Sequence, residues 1–167
     1  MSDITYRLMN QDEAADVSVL VLSVFDAYIA PEYTPQGIEE FRKYAQAAAL
    51  LERSRQDHFV VTATHGDTLA GMIEMRQNNH VSLLFVAKPF HRRGLSRGLL
   101  DRAMGHARDQ GGTLERVTVN SSRYGVPAYE ALGFLQTGPE RAVNGILFTP
   151  MAMRLEADED TPVVTPL

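Results

Sequence analysis

After a short mixed run, Ile4 to Met9, that reads as a strand, apolar positions recur first at steps of three and four and later at steps of two. Asn10 followed by Glu13 has the spacing of a capping pair and predicts a helix start. Val17, Leu20, Val21, Val24, Phe25 and Tyr28 then fall on one helical face, and Pro31 ends the run. Thr34 before Pro35 predicts a second helix, along which Ile38, Phe41, Ala45 and Ala48 keep the same spacing. The Ala30 to Tyr33 connection carries a carboxylate and an aromatic ring, which suits either a ligand contact or a simple turn.

From His58 the period shortens. Phe59 to Thr62 is strand-like, His65-Gly66-Asp67 is a turn, and Leu69 to Met75 returns as a second strand. Gln77-Asn78-Asn79 turns again into Val81 to Val86, so three strands form an antiparallel meander. Leu95, Leu99, Leu100, Ala103, Met104 and Ala107 make the stripe of another helix, closed by Gly111-Gly112, and Leu114 to Val119 is a strand again. Strand, helix and parallel strand make a right-handed crossover unit. A short helix at Val126 to Leu132, a strand at Phe134 to Thr137 and a last strand at Ile146 to Leu155 complete the order. Residues 1–155 read as one α/β domain, and 156–167, with four acids and two prolines, as a flexible acidic tail.

Composition narrows the chemistry. The 167 residues are 44% hydrophobic and 22% charged, which describes an ordinary globular chain. With no cysteine there is no disulfide framework, thiolate metal cluster or thiol nucleophile. A net charge of -5 argues against broad capture of nucleic acid. No basic-then-apolar leader opens the chain and no apolar run approaches the roughly 20 residues that span a bilayer, so a cytoplasmic location and no membrane partner are expected. Asn79, His80 and His91 lack the spacing of a metal site.

The densest chemical signal lies between a strand and a helix, in Lys88-Pro89-Phe90-His91-Arg92-Arg93-Gly94-Leu95-Ser96-Arg97-Gly98, which holds four cations and no acid. Free amides and the dipole of a helix start, with a glycine that lets the backbone come close, can wrap a phosphate. The same residues also suit an ordinary glycine turn with solvated arginines. A second cluster runs Val119-Asn120-Ser121-Ser122 and then Ala128-Tyr129-Glu130-Ala131-Leu132-Gly133-Phe134.

Taken together, these two clusters resemble the GNAT superfamily of acyl-CoA-dependent N-acetyltransferases, over Ile4 to Leu155. The resemblance implies a mixed, mostly antiparallel sheet of six to seven strands with a splayed parallel pair and about four helices. His91 and Ser96 depart from the family's turn, which has Gln or Arg at the first position and Gly or Ala at the last. Ser96 keeps the small size that close phosphate approach requires.

By the same resemblance, the amides of Arg92, Arg93, Gly94, Leu95, Ser96 and Arg97 hold the pyrophosphate of acetyl-CoA. The backbone of Leu84, Phe85 and Val86 flanks the pantetheine arm, with Asn120 or Ser122 reaching it from the next strand. Tyr129 matches the tyrosine that protonates the departing thiolate, a role suited to a phenol of ordinary pKa near 10. Without the resemblance it reads as a core aromatic.

The residues themselves offer Glu74 as the base for the amine: an isolated carboxylate in an apolar strand, on the face opposite Ile73 and Met75. A solvated strand residue is the other reading. The expected acceptor is a primary amine on a small molecule or peptide. Tyr28, Glu32, Tyr33 and Glu74 would suit a cationic amine if they converge, whereas Arg123 and Arg141 would suit a substrate carboxylate. A homodimer through the last strands is left open, as is a non-catalytic acyl-CoA sensor of the same fold.

Overall fold

The computed structural model describes residues 3–111 and 114–155. The chain runs β1 (Ile4–Leu8), α1 (Ala14–Tyr28), α2 (Pro35–Tyr44), α3 (Ala47–Ser54), β2 (His58–His65), β3 (Thr68–Arg76), β4 (His80–Val86), α4 (Leu95–Gly111), β5 (Arg116–Ser121), α5 (Val126–Leu132), β6 (Leu135–Gln136), β7 (Arg141–Val143) and β8 (Ile146–Arg154). All eight strands join one sheet in the order β1-β2-β3-β4-β5-β8-β6, with β7 also paired to β8. The β4–β5 pair is parallel and the others are antiparallel, as expected. The acidic segment 156–167 lies outside the described residues.

One face of the sheet packs against α1 and α3 through Val17, Val21, Phe25, Leu50 and Met72, and the other against α4 through Ile73, Met75, Leu99 and Leu100. Strand alternation thus sends Met72 and Ile73 to opposite layers. The predicted cap is present: the Asn10 amide donates to Glu13 Oε1 at 2.7 Å. Thr34 Oγ1 accepts from the Gly37 amide at 3.1 Å, with Pro35 in the first turn of α2.

Two elements go beyond the sequence reading. The run from Pro35 is two helices, because the chain turns extended at Gln46. There Ser18 of α1 donates its hydroxyl to the Ala45 carbonyl at 2.7 Å, taking the acceptor that a continuous helix would use. Alanine on both sides of the break hides it from periodicity. In addition, the stretch before β8 contains β7, joined to it through Asn144 and Gly145, both at positive φ. A side chain at Gly37 would collide with the Gly145 carbonyl, so α2 rests directly on this hairpin.

The feature that positions the site is the parting of β4 from β5. They pair only at His80↔Thr118 and Val81↔Val119. On the other side of β4, Glu74 pairs with Leu83 and Met75 with Val81, which leaves Ser82 as an extra, bulged residue. His80 pins the closed end through Nδ1 and Thr118 Oγ1, 2.7 Å apart. Beyond the bulge the β5-facing edge of β4 is open.

Burial, then the charges of Arg76 and His58, lower the His80 imidazole from 6.5 to about 4. The folded chain therefore keeps this ring neutral where the unfolded chain protonates it, so its contribution to stability is lost as pH falls from 6.5 towards 4. His80→Asn should flatten the pH dependence of the urea midpoint across that window. Equal slopes for variant and wild type would remove His80 from the acid response.

Candidate active site

The parting strands open a cleft of about 820 Å³. Its β4 wall is Ser82 to Val86, its β5 wall Val119 to Ser122, and α5 closes one side with Tyr129 and Leu132. The tyrosines and phenylalanine of α1, the α1–α2 connection and α2, namely Tyr28, Tyr33 and Phe41, close the other. The amides and carbonyls on the open edge of β4 have no strand opposite them, so an amide-bearing ligand can take the strand's place.

The turn after β4 is shaped by two residues at positive φ, Arg92 at 64° and Gly94 at 79°, before α4 begins at Leu95. The first amides of α4 point out of the helix without intrahelical acceptors. A Cβ at Gly94 would meet nothing within 4 Å, so glycine is needed there for its backbone angle and not for packing against the protein. Lys88, Arg92, Arg93 and Arg97 form no ion pair among the described residues, leaving their charge for an anion. His91 Nε2 donates to the Val86 carbonyl at 2.7 Å and ties the turn to the end of β4. This is what histidine does at a position where the family pattern has Gln or Arg.

Of the residues singled out in the sequence, Leu84, Phe85, Val86, His91, Arg92, Gly94, Leu95, Ser96, Arg97, Asn120, Ser122 and Tyr129 all line this one cleft. Arg93 does not; its guanidinium lies 5.6 Å from the centre of the Phe90 ring. Ser122 has a second task, since its Oγ accepts from the Gly125 amide at 3.1 Å and holds the entry to α5. Tyr129 is 9% exposed and meets Phe134 edge-on at 5.3 Å. Burial raises its phenol well above 10 with no neighbour among the described residues to offset it, so the hydroxyl stays protonated.

Glu74 is not the isolated carboxylate that alternation suggested. It is fully buried, and Arg53 of α3 grips it with two bonds, Nε to Oε2 at 3.0 Å and Nη2 to Oε1 at 3.1 Å. Ser82 Oγ, on the bulge, donates to the same Oε1 at 2.7 Å. Arg53 also donates to the Tyr44 carbonyl at 2.8 Å and lies 3.6 Å over that ring's centre. Glu74 does not line the cleft; Ser82 does, and it connects the two. No feature of the sequence indicated Arg53 as the partner.

The expected acidic pocket does not form either. Glu32 and Glu140 both contact Arg123, at 3.5 Å and 2.7 Å, so that guanidinium is already engaged. Tyr124, which the sequence reading passed over, stacks on Tyr28 with centroids 4.8 Å apart. Burial and the Glu32 charge raise the Tyr33 phenol to about 12, and its hydroxyl donates to the Leu147 carbonyl at 3.2 Å. Among the described residues no three His, Cys, Asp or Glu side chains are grouped to hold a metal, and no helix is long and apolar enough to cross a membrane.

A parallel pair that splays beside a glycine turn at a helix start is the arrangement that the resemblance to acyl-CoA-dependent transferases implied. A family model described as an acetyltransferase (GNAT) domain matches residues 29–155, and the chain belongs to that family of acetyl-CoA-dependent acetyltransferases. Solved structures share the fold. A GCN5-related N-acetyltransferase from Rhodopseudomonas palustris has a TM-score of 0.78 at 19% identity, covering 93% of this chain and 98% of that one. The PaiA N-acetyltransferase from Thermoplasma acidophilum, solved with coenzyme A, has 0.75 at 18%, covering 92% and 99%. YjaB from Escherichia coli has 0.67 at 18%, covering 90% and 97%. Among curated proteins no sequence matches at a significant level.

The buried Arg53–Glu74 pair makes a stability prediction. Arg53→Met leaves a buried carboxylate uncompensated and should cost roughly 3–5 kcal/mol in urea unfolding. Adding Glu74→Leu should restore most of that loss. A double variant no more stable than the single one would show that the pair's charges are not what matters.

Proposed function

We propose that this chain is an N-acetyltransferase that passes acetyl from acetyl-CoA directly to the primary amine of a small molecule or peptide. The observation that supports this reading is that one cleft is lined by the Gly94 turn, the open edge of β4 and the protonated Tyr129. The free amides of Gly94 to Arg97, with Arg92 and Arg97 beside them, hold the pyrophosphate. Leu84 to Val86 pair with the pantetheine amides, and Asn120 and Ser122 face the same arm. Arg93 adds positive charge outside the cleft, while His91 and Leu95 hold the turn's shape.

The neutral amine nitrogen attacks the thioester carbonyl, and β4 amides near the bulge stabilise the oxyanion. As the C–S bond breaks, Tyr129 gives its proton to sulfur, and the proton leaving nitrogen restores the phenol, so the amide and the free thiol form without an acyl-enzyme. Glu74, already bonded to Arg53 and Ser82, is assigned to holding the bulge and not to taking the proton. The same reading takes 1–155 as one catalytic domain in the cytoplasm, with no nucleic-acid, membrane or metal partner. Homodimerisation through the last strands is supported by Leu135, 72% exposed on the edge strand β6.

Gly94→Glu should weaken acetyl-CoA binding at least tenfold by calorimetry, and Gly94→Ala, with the same backbone strain but no charge, should weaken it less. Equal affinity across all three would remove the turn from the site. Tyr129→Phe should lower kcat by about a hundredfold while the acetyl-CoA Kd stays within twofold. Unchanged turnover would reduce Tyr129 to a packing residue.

A further inference from the structure

The cleft wall has an aromatic part, reaching to Tyr28 at 5.7 Å from the His91 ring, that bears on what the cleft admits. Tyr28, Tyr33, Phe41, Phe85 and Tyr124 line it, together with Val24, Ile29 and Leu83. No Asp, Glu or Lys lines the cleft anywhere among the described residues. Its charged lining is Arg92, on the turn after β4, and Arg97, in the first turn of α4. Four carboxylates on neighbouring elements are paired, Glu74 with Arg53, Glu32 and Glu140 with Arg123, and Asp26 with Arg42 at 2.7 Å, and Glu130 of α5 is exposed between Tyr129 and Ala131 without lining the cleft. The rings are ordered among themselves. Tyr28 and Tyr124 stack at an interplanar angle of 16°, and Phe41 lies 5.9 Å from Phe85 and 4.0 Å from Phe25.

We infer that the acceptor is a primary amine on a flat or bulky apolar body, with neither a carboxylate nor a second cationic centre. The inference rests on the acetyltransferase reading above and deepens it. A diamine whose distal ammonium lies against these rings would find no counter-ion among the residues lining the cleft, and a charge shielded from water without a partner is unfavourable. A substrate carboxylate meets the same difficulty, because Arg123 is engaged and the turn arginines face the diphosphate. An aromatic amine instead exchanges water for ring faces, in the offset and edge-on contacts these side chains already make with one another. The absence of a free carboxylate in the wall also means that the amine enters unprotonated, which a desolvating apolar cleft favours.

Three probes of similar reactivity separate the possibilities: phenethylamine, the amino acid phenylalanine, which adds only a carboxylate, and putrescine, which replaces the ring by a second ammonium. With acetyl-CoA and the whole chain, free thiol release should give phenethylamine a kcat/KM at least tenfold above either comparator. Tyr124→Ala should raise the KM for phenethylamine at least fivefold and leave the acetyl-CoA KM within twofold. If phenethylamine is turned over no faster than putrescine or phenylalanine, or if Tyr124→Ala leaves its KM unchanged, the inference is overturned while the acetyltransferase reading stands. Calorimetry showing no acetyl-CoA binding removes that reading, and the inference with it.

Discussion

Two parallel strands that pair at only two positions cannot close their sheet, and everything that makes this fold useful follows from that failure. His80 and Thr118 hold β4 to β5 at one end, and the bulge at Ser82 sends β4 away at the other. A strand edge left open inside a protein must find other partners for its amides and carbonyls. Here the gap is lined with side chains and ends at the start of α4, where free amides collect. The cleft is therefore a consequence of strand register, and the helix start at its mouth a consequence of the crossover that parallel strands require.

Charge is distributed along this cleft in a way that complements the register. Cations cluster around the turn after β4 and form no ion pair among the described residues, while Asp26 and Glu74 each pair with an arginine and Glu32 and Glu140 share Arg123. The Arg53–Glu74 pair is the most buried of these, and it reaches the cleft only through Ser82. Glu74 is thus joined to the residue that creates the bulge, so the ion pair and the strand parting form a single unit. A carboxylate in that position shapes the backbone that holds a ligand more directly than it could exchange protons with one.

How much of this was legible in the sequence depended on whether the cause was local. The capping pair Asn10–Glu13, the Gly66 turn, the α4 stripe and the bounds of α5 were readable because a few neighbouring residues decide them. The turn from His91 to Arg97 and Tyr129 were legible through their pattern, and all but Arg93 arrive in one cleft. The break between α2 and α3 was hidden because its cause is Ser18, 27 residues away, acting on a carbonyl flanked by alanines. Arg53 was hidden for the same reason: a buried acid demands a partner, but only the packing of α3 on β3 says which one. The β7–β8 hairpin did leave a trace, since Asn144-Gly145 is a strong two-residue turn signal, but a three-residue strand carries too little alternation to confirm it.

The burial of Tyr129 and the aromatic wall of the cleft are connected on the proposed reading. Removing Tyr129 from water raises its phenol further above the ordinary value near 10, because the phenolate, not the phenol, suffers when solvent is withdrawn. The same withdrawal acts on any charge a substrate carries, and the aromatic wall offers no counter-ion in compensation. A wetter cleft would accept a wider range of amines but would let the phenol ionise more readily and leave the departing thiolate to bulk water. Selectivity against charged acceptors and retention of the acidic proton are thus two results of one desolvation. Introducing a carboxylate beside the rings would relax the first and, by raising the phenol further, strengthen the second at the expense of the proton's release to sulfur.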